Sequence, residues 1–305
     1  MNPRPLKNTA ASTRQRLLNK ARKDGRPFNE LLQYFAMERF LYRLSISPHA
    51  GKFVLKGALM LRVWRSPDSR PTMDIDFLGK TPNDLDNVVA LVGDVIAVDT
   101  EPVGLIFDAS SVEAERITED ADYAGIRVLF RGTLDAARFR MQLDVGFGDV
   151  VFPAPQSSEL PTLLDYPAPK LMGYSRESTI AEKFEAMVKL DLINSRMKDF
   201  YDIWLLSRSF SFEGDTLAEA IRLTLAQRGT ELGNEIGAFS QAFVDTKAAQ
   251  WAAFRKRLPD EHVPEELAMV VTAVENFLAP VAHAIRTQLT MPLYWEAPGP
   301  WAAPD

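Results

Sequence analysis

The chain has 305 residues, of which 46% are hydrophobic, with no cysteine and three widely separated histidines, His49, His262 and His283. The hydrophobic content is enough for a full core and excludes wholesale disorder. The absence of thiols excludes disulfides, thiolate zinc sites and cysteine nucleophiles, and fits a reducing cytoplasm. A net charge of −6 excludes a protein that coats nucleic acid by bulk charge.

Charge is unevenly placed, however. Residues 1–26 hold eight Lys/Arg against one acid, Asp24, a local basic arm able to contact phosphates or to form a solvated helix face. The opening MNPRPLKNTAASTRQR lacks an apolar run, so no secretory leader is expected. STRQRLLNKARKDG predicts a helix capped by Ser12 or Thr13 and stopped at Gly25. PFNELLQYFAMERFLYRLSIS predicts a second, with apolar residues at helical spacing (Leu31, Tyr34, Phe35, Phe40, Leu41, Leu44). FVLKGALMLRVW reads as strand, tight turn at Gly57, then helix. TMDIDFL alternates as a strand. TPNDLDNVVALVGDVIAV reads as a helix capped by Thr81 or Asn83.

VGLIFD, SVEAERIT, GIRVLFRGTL and RFRMQLDVGFGD follow as strands of a mixed or antiparallel sheet. From about Ser178 the pattern is helical. LAMVVTAVENFLAPVAHAI is broken by Glu275 and Pro280, so it is expected to be a buried helix and not a membrane span. The expected class is α+β: N-terminal helices over 1–50, a mixed-sheet core over 51–175, a helical bundle over 176–290 and an irregular Pro-rich tail over 291–305.

The chemistry concentrates in acids. Alternation places Asp74 and Asp76 on one strand face, about 7 Å apart at the backbone. Two carboxylates about 5 Å apart repel by roughly 3 kcal/mol at an effective dielectric of 20. A divalent cation offsets this best, and Mg²⁺ takes oxygen ligands. Asp144, in the strand MQLDVGF, completes a triad if its strand neighbours the first; such a triad suits metal-assisted phosphoryl or nucleotidyl transfer. The alternative is a solvated, idle Asp-x-Asp.

LKGALML places Lys56 before a glycine turn where backbone N–H groups can approach an anion; the alternative is a packing glycine. In the helical half, Lys183 stands on an apolar helix, and Arg196, Asp199 and Asp202 share a face beside Lys198. They form either an ordinary intrahelical ion pair or a cationic set for a triphosphate, with Asp199 or Asp202 orienting the cations or acting as base.

FVLKGALML, RPTMDIDFLG, LDVGFGD, TIAEKFEAMV and NSRMKDFYDIWLL occur in this order. Together they resemble the AbiEii/AbiGii toxin family of nucleotidyltransferases, in the DNA polymerase β-like superfamily, over roughly residues 27–210. The resemblance implies a nucleotidyltransferase core with a mixed sheet, then a helical domain, with the active site between them. It implies Mg²⁺-assisted transfer from a nucleoside triphosphate to RNA, notably the tRNA 3′ end, and an antitoxin from the adjacent gene as partner. By position, Asp74 and Asp76 match the metal aspartates and Asp144 the third carboxylate. Lys183, Asp199 and Asp202 match the catalytic lysine and acids. Lys56, Gly57, Ala58, Arg70, Thr72, Arg196 and Lys198 form the phosphate-binding set, with Ala58 departing from the family's usual small polar residue or glycine. A transferase acting on a small molecule or protein hydroxyl, a metal-dependent nuclease and a non-catalytic regulatory protein are the alternatives.

Overall fold

The computed structural model describes residues 6–66, 70–119, 123–258 and 263–303. Arg4, the Lys7 side chain and His262 lie outside the described residues. The chain divides into two compact units. One comprises Met1–Trp64, Pro71–Gly148 and Gln156–Gly173; the other comprises Arg65–Arg70, Asp149–Pro155 and Tyr174–Asp305.

The first unit opens with helices α1 (Leu6–Asp24) and α2 (Phe28–Ile46). α1 starts earlier than the caps expected at Ser12 or Thr13. Thr13 is instead buried inside the helix, its hydroxyl 3.0 Å from Tyr166 Oη. The basic arm is therefore a packed helix. Arg14 lies over the Phe28 ring at 5.8 Å, Arg16 pairs with Asp165 at 3.1 Å, Lys20 with Asp24 at 3.1 Å, and Arg26 with Glu30. α2 is buried on nearly every side, through Leu31, Phe35, Phe40 and Leu44 among others.

Among the described residues this unit holds a seven-stranded mixed sheet. Its strands are β1 (Phe53–Lys56), β2 (Ile75–Gly79), β3 (Leu105–Glu119), β4 (Tyr123–Leu134), β5 (Ala137–Phe147), β6 (Gln156–Glu159) and β7 (Lys170–Gly173), in the order β3-β4-β5-β2-β1-β7-β6. β2 runs parallel to β5 and β1 to β7; the other neighbours are antiparallel. Two short helices interrupt the strands, α3 (Leu59–Val63) and α4 (Leu85–Ala97). The cap of α4 is Asp84, whose side chain accepts from Asn87 N at 2.9 Å, in place of Thr81 or Asn83. VGLIFD and SVEAERIT, expected as separate strands, run on as β3, broken only by a register shift between Asp108 and Glu113.

The strand alternation is two-faced. Ile126, Val128 and Phe130 of β4 and Met141, Leu143 and Val145 of β5 are buried. Phe40, Phe107, Phe130 and Phe139 interlock beneath them with ring centroids 5.5–6.1 Å apart. Each such side chain contributes about 1.5–3 kcal/mol by leaving water. The opposite face carries the polar residues described below.

The second unit is helical: α5 (Arg176–Leu190), α6 (Met197–Ser209), α7 (Gly214–Arg228), α8 (Gln241–Arg255) and α9 (Leu267–Thr287). Ser175 and Ser240 cap α5 and α8 through their hydroxyls, and Gly229, at φ +62°, closes α7 in the left-handed region. α9 is long and apolar enough to cross a membrane by composition, yet its Val270, Val274, Phe277, Leu278 and Val281 are buried within this unit.

The tail is not irregular as expected. β9 (Tyr294–Trp295) pairs with β8 (Phe212–Glu213) and β10 (Trp301–Ala302). Two indoles anchor it. Trp295 Nε1 donates to Ser207 O at 2.6 Å and Trp301 Nε1 to Phe277 O at 2.8 Å, while Trp301 stacks on Phe277. Prolines remove donors from such a segment, but the buried Trp295 and the half-buried Trp301 each supply contact area and a hydrogen bond at once.

Candidate active site

Strand register decides which charges meet. Lys56 of β1 is opposite Asp76 of β2, Asp76 is beside Asp144 of β5, Asp144 is opposite Arg127 of β4, and Arg127 is opposite Glu115 of β3. Five charged residues thus form one row across five strands on one face of the sheet. Asp74 lies two residues before Asp76, on the same face. Carboxylate oxygens of Asp74, Asp76 and Asp144 all lie within 4.8 Å of one another.

Neighbouring groups hold each acid in place. The Thr72 hydroxyl donates to Asp74 Oδ1, while the Thr72 N–H donates to Tyr34 Oη at 3.0 Å. Gln33, buried in α2, donates to the carbonyls of Met73 and Arg140, tying the approach to β2 onto β5. Gly57 sits at φ +70°, where a Cβ would come within 1.9 Å of Asp76 Oδ2. The glycine therefore makes the turn and also leaves room for the carboxylate.

Arg127 forks Asp144, Nε to Oδ1 at 2.8 Å and Nη2 to Oδ2 at 2.7 Å, and Gln142 Nε2 donates to Oδ2 at 3.0 Å. This hydrogen bonding, with the nearby negative charge of Asp144, Glu115 and Asp74, holds the Arg127 guanidinium above its ordinary value despite partial burial. Among the described residues on this row and beside it, Asp74, Asp76, Asp144 and Glu115 stand against Lys56 and Arg127, four acids to two bases. The all-oxygen donor set fits a hard divalent cation such as Mg²⁺.

The helical unit holds a second charged cluster. Lys183 of α5 reaches Asp199 Oδ1 at 2.9 Å and Asp202 Oδ2 at 2.8 Å on α6. Arg70 forks Asp202, Nε to Oδ1 at 2.9 Å and Nη2 to Oδ2 at 3.0 Å, and Arg196 Nε lies 2.7 Å from Asp199 Oδ2. Both acids are buried, at 0% and 1% exposure. Burial alone would push the Asp202 carboxyl up; the charges and hydrogen bonds of Arg70 and Lys183 prevail and bring it down to about 2. Burial likewise disfavours the Lys183 ammonium, and Asp199 and Asp202 outweigh it, raising Lys183 above its ordinary value. Among the described residues, three cations meet these two anions.

Not every expected residue joins these clusters. Lys198 is exposed and makes no ion pair with a described residue. Ala58 is 4% exposed and offers only backbone, ahead of a helix of five residues with little macrodipole. Arg70, expected among the phosphate contacts, serves as the fork on Asp202. Arg127 was missed altogether; its only sequence signal is a lone cation in an apolar strand run, and its partner follows only from register.

Two predictions follow from these contacts. Gly57→Ala is expected to cost about 1–3 kcal/mol, from forced positive φ and the clash with Asp76. A denaturant titration matching wild type would contradict the turn's assigned role. The Asp202 carboxyl drops from 3.8 to about 2 on folding, so its contribution of about 2 kcal/mol is present above pH 4 and lost as pH falls towards 2. Acid unfolding of wild type should show this extra slope and that of Asp202→Asn should lack it; identical slopes would contradict the charge network.

The description "nucleotidyl transferase AbiEii toxin, type IV TA system" belongs to a family whose sequence profile matches residues 39–279. MenT4, a nucleotidyltransferase toxin from Mycobacterium tuberculosis, is similar in structure at 19% identity and TM-score 0.48, covering 92% of this chain and 99% of its own. A putative nucleotidyltransferase from H. pylori matches at 14% identity and TM-score 0.46, covering 86% and 98%. JHP933 from Helicobacter pylori matches at 14% and 0.44, covering 85% and 97%. No curated protein matches the sequence. With the profile spanning well over half its length, the chain belongs to the AbiEii family of nucleotidyltransferase toxins of type IV toxin–antitoxin systems.

Proposed function

We propose that this toxin transfers a nucleotide, with Mg²⁺, from a nucleoside triphosphate to the 3′ hydroxyl of an RNA, foremost the tRNA 3′ end. It acts in the cytoplasm and is neutralised by an antitoxin encoded in the adjacent gene. The observation that carries the reading is the convergence of Asp74, Asp76 and Asp144 within 4.8 Å on a sheet face where mutual repulsion needs a cation.

In this transfer the acceptor oxygen bonds to the α-phosphorus, the bond from that phosphorus to the bridging oxygen breaks, and pyrophosphate leaves. The hydroxyl proton departs to solvent. Mg²⁺ held by Asp74, Asp76 and Asp144 would neutralise developing charge and acidify the attacking hydroxyl. Thr72 and the Gly57 turn keep Asp74 and Asp76 in place for that task. Lys183, Arg196 and Arg70 supply the positive field for the triphosphate, with Lys56, the Gly57–Ala58 backbone and the exposed Lys198 as further contacts. Asp199 and Asp202 orient the cations. A carboxyl drawn down to about 2 is a poor proton acceptor near neutral pH, which supports orientation over base catalysis for Asp202.

Incubation with each labelled triphosphate in turn, Mg²⁺ and total tRNA tests the reading. Label on RNA is the expected result. Shortened RNA would indicate a nuclease, and unchanged RNA a binding protein. Asp76→Ala should lower transfer by at least a hundredfold while keeping the wild-type circular dichroism spectrum, because the substitution relieves repulsion. Transfer at the wild-type rate would remove Asp76 from the metal site.

A further inference from the structure

The sheet face that carries the carboxylates continues along β4 and β5 away from them. On β5 the same-face residues beyond Asp144 are Gln142, Arg140 and Arg138; on β4, beyond Arg127, they are Leu129, Arg131 and Thr133. Arg131, Arg138 and Arg140 are all exposed, and none makes an ion pair with a described residue. Arg131 and Arg140 stand directly opposite each other. Like charges facing across a strand pair destabilise the sheet, and no ion pair with a described residue holds either guanidinium.

The nearest candidate, Asp108, is the register partner of Arg131 on β3. Its Oδ1 is already occupied by the Ser110 N–H at 3.0 Å and the Ser110 hydroxyl at 2.6 Å, at the break in β3. Glu113 and Glu115, further along the same face of β3, stand opposite Leu129 and Arg127. Asp108 alone is in register with this group, so three guanidinium groups against one carboxylate leave an excess of positive charge there.

We infer that Arg131, Arg140 and Arg138 form a landing strip for the phosphate backbone of a nucleic-acid acceptor whose 3′ end lies at Asp74, Asp76 and Asp144; this rests on the RNA reading above. Arg140 is four residues from Asp144 along one strand, about 13 Å, and Arg138 about 20 Å. The strip thus meets phosphates a few nucleotides upstream of the reacting end. Guanidinium groups suit phosphate oxygens through paired N–H donors. In the basic N-terminal segment, by contrast, Arg14, Arg16, Lys20 and Arg26 are already engaged by their own unit, which leaves Arg22 and Lys23 as its exposed cations without an ion pair to a described residue.

The test compares the full-length wild type with two triple variants, Arg131→Gln/Arg138→Gln/Arg140→Gln and the same three positions changed to Lys. Anisotropy of a fluorescent RNA hairpin with a single-stranded 3′ end is followed against salt, and transfer is assayed on that hairpin and on a dinucleotide. Losing three phosphate contacts should weaken binding on the order of tenfold to a hundredfold and flatten the log–log salt slope by about 2–3. KM for the hairpin should rise with kcat unchanged. The Lys variant, which keeps the charges but not the paired donors, should keep the wild-type salt slope and bind more tightly than the Gln variant, and transfer to the dinucleotide, too short to reach Arg140, should be unaffected in both. A Gln variant with the wild-type salt slope, while wild type labels the hairpin, overturns the strip and leaves the RNA reading intact. Arginine-dependent binding by a wild type that labels no RNA keeps the strip and overturns the transfer reading.

Discussion

Repulsion among like charges on one face of a sheet organises this protein. Three carboxylates sit with oxygens within 4.8 Å, and the fold places Lys56 and Arg127 at either end of their row. Among the described residues these two cations face the three acids and, beyond Arg127, Glu115, so acids outnumber bases along the row. A structural ion-pair network would be expected to close that balance; a site built to receive a cation would leave it open.

The helical unit shows the complementary solution. Asp199 and Asp202 are almost wholly buried, yet Lys183, Arg70 and Arg196 meet their oxygens. Acids at such depth are tolerable only when paired, and here pairing also fixes three flexible cations in place. The function proposed above assigns a metal to the acids of the sheet unit and the phosphates of a triphosphate to the cations of the helical unit.

The legible parts of the site were those governed by local periodicity. The alternation of TMDIDFL suffices to put Asp74 and Asp76 on one face, and helical spacing suffices to bring Arg196 to Asp199. What depended on pairing between distant segments was not legible. From sequence alone Asp144 is the third acid only on the condition that its strand neighbours the first; the parallel pairing of β2 with β5 across 68 residues of chain that meets this condition is specified by nothing local in MQLDVGF. Arg127 was invisible for the same reason, as was the fork of Arg70 on Asp202. Gly57 was read as room for a phosphate; the structure shows that it makes room for Asp76. In the tail, proline content pointed to irregularity, but Trp295 and Trp301 outweigh it by burying their rings and spending their N–H groups on backbone carbonyls.

The most direct measurement is calorimetric titration of Mg²⁺ into the full chain, with the Asp74→Asn/Asp76→Asn double variant alongside. Saturable uptake by wild type, weakened at least tenfold in the variant, is the predicted result. Absence of uptake by wild type, or equal uptake by both proteins, would contradict the assignment of the open charge balance to a cation.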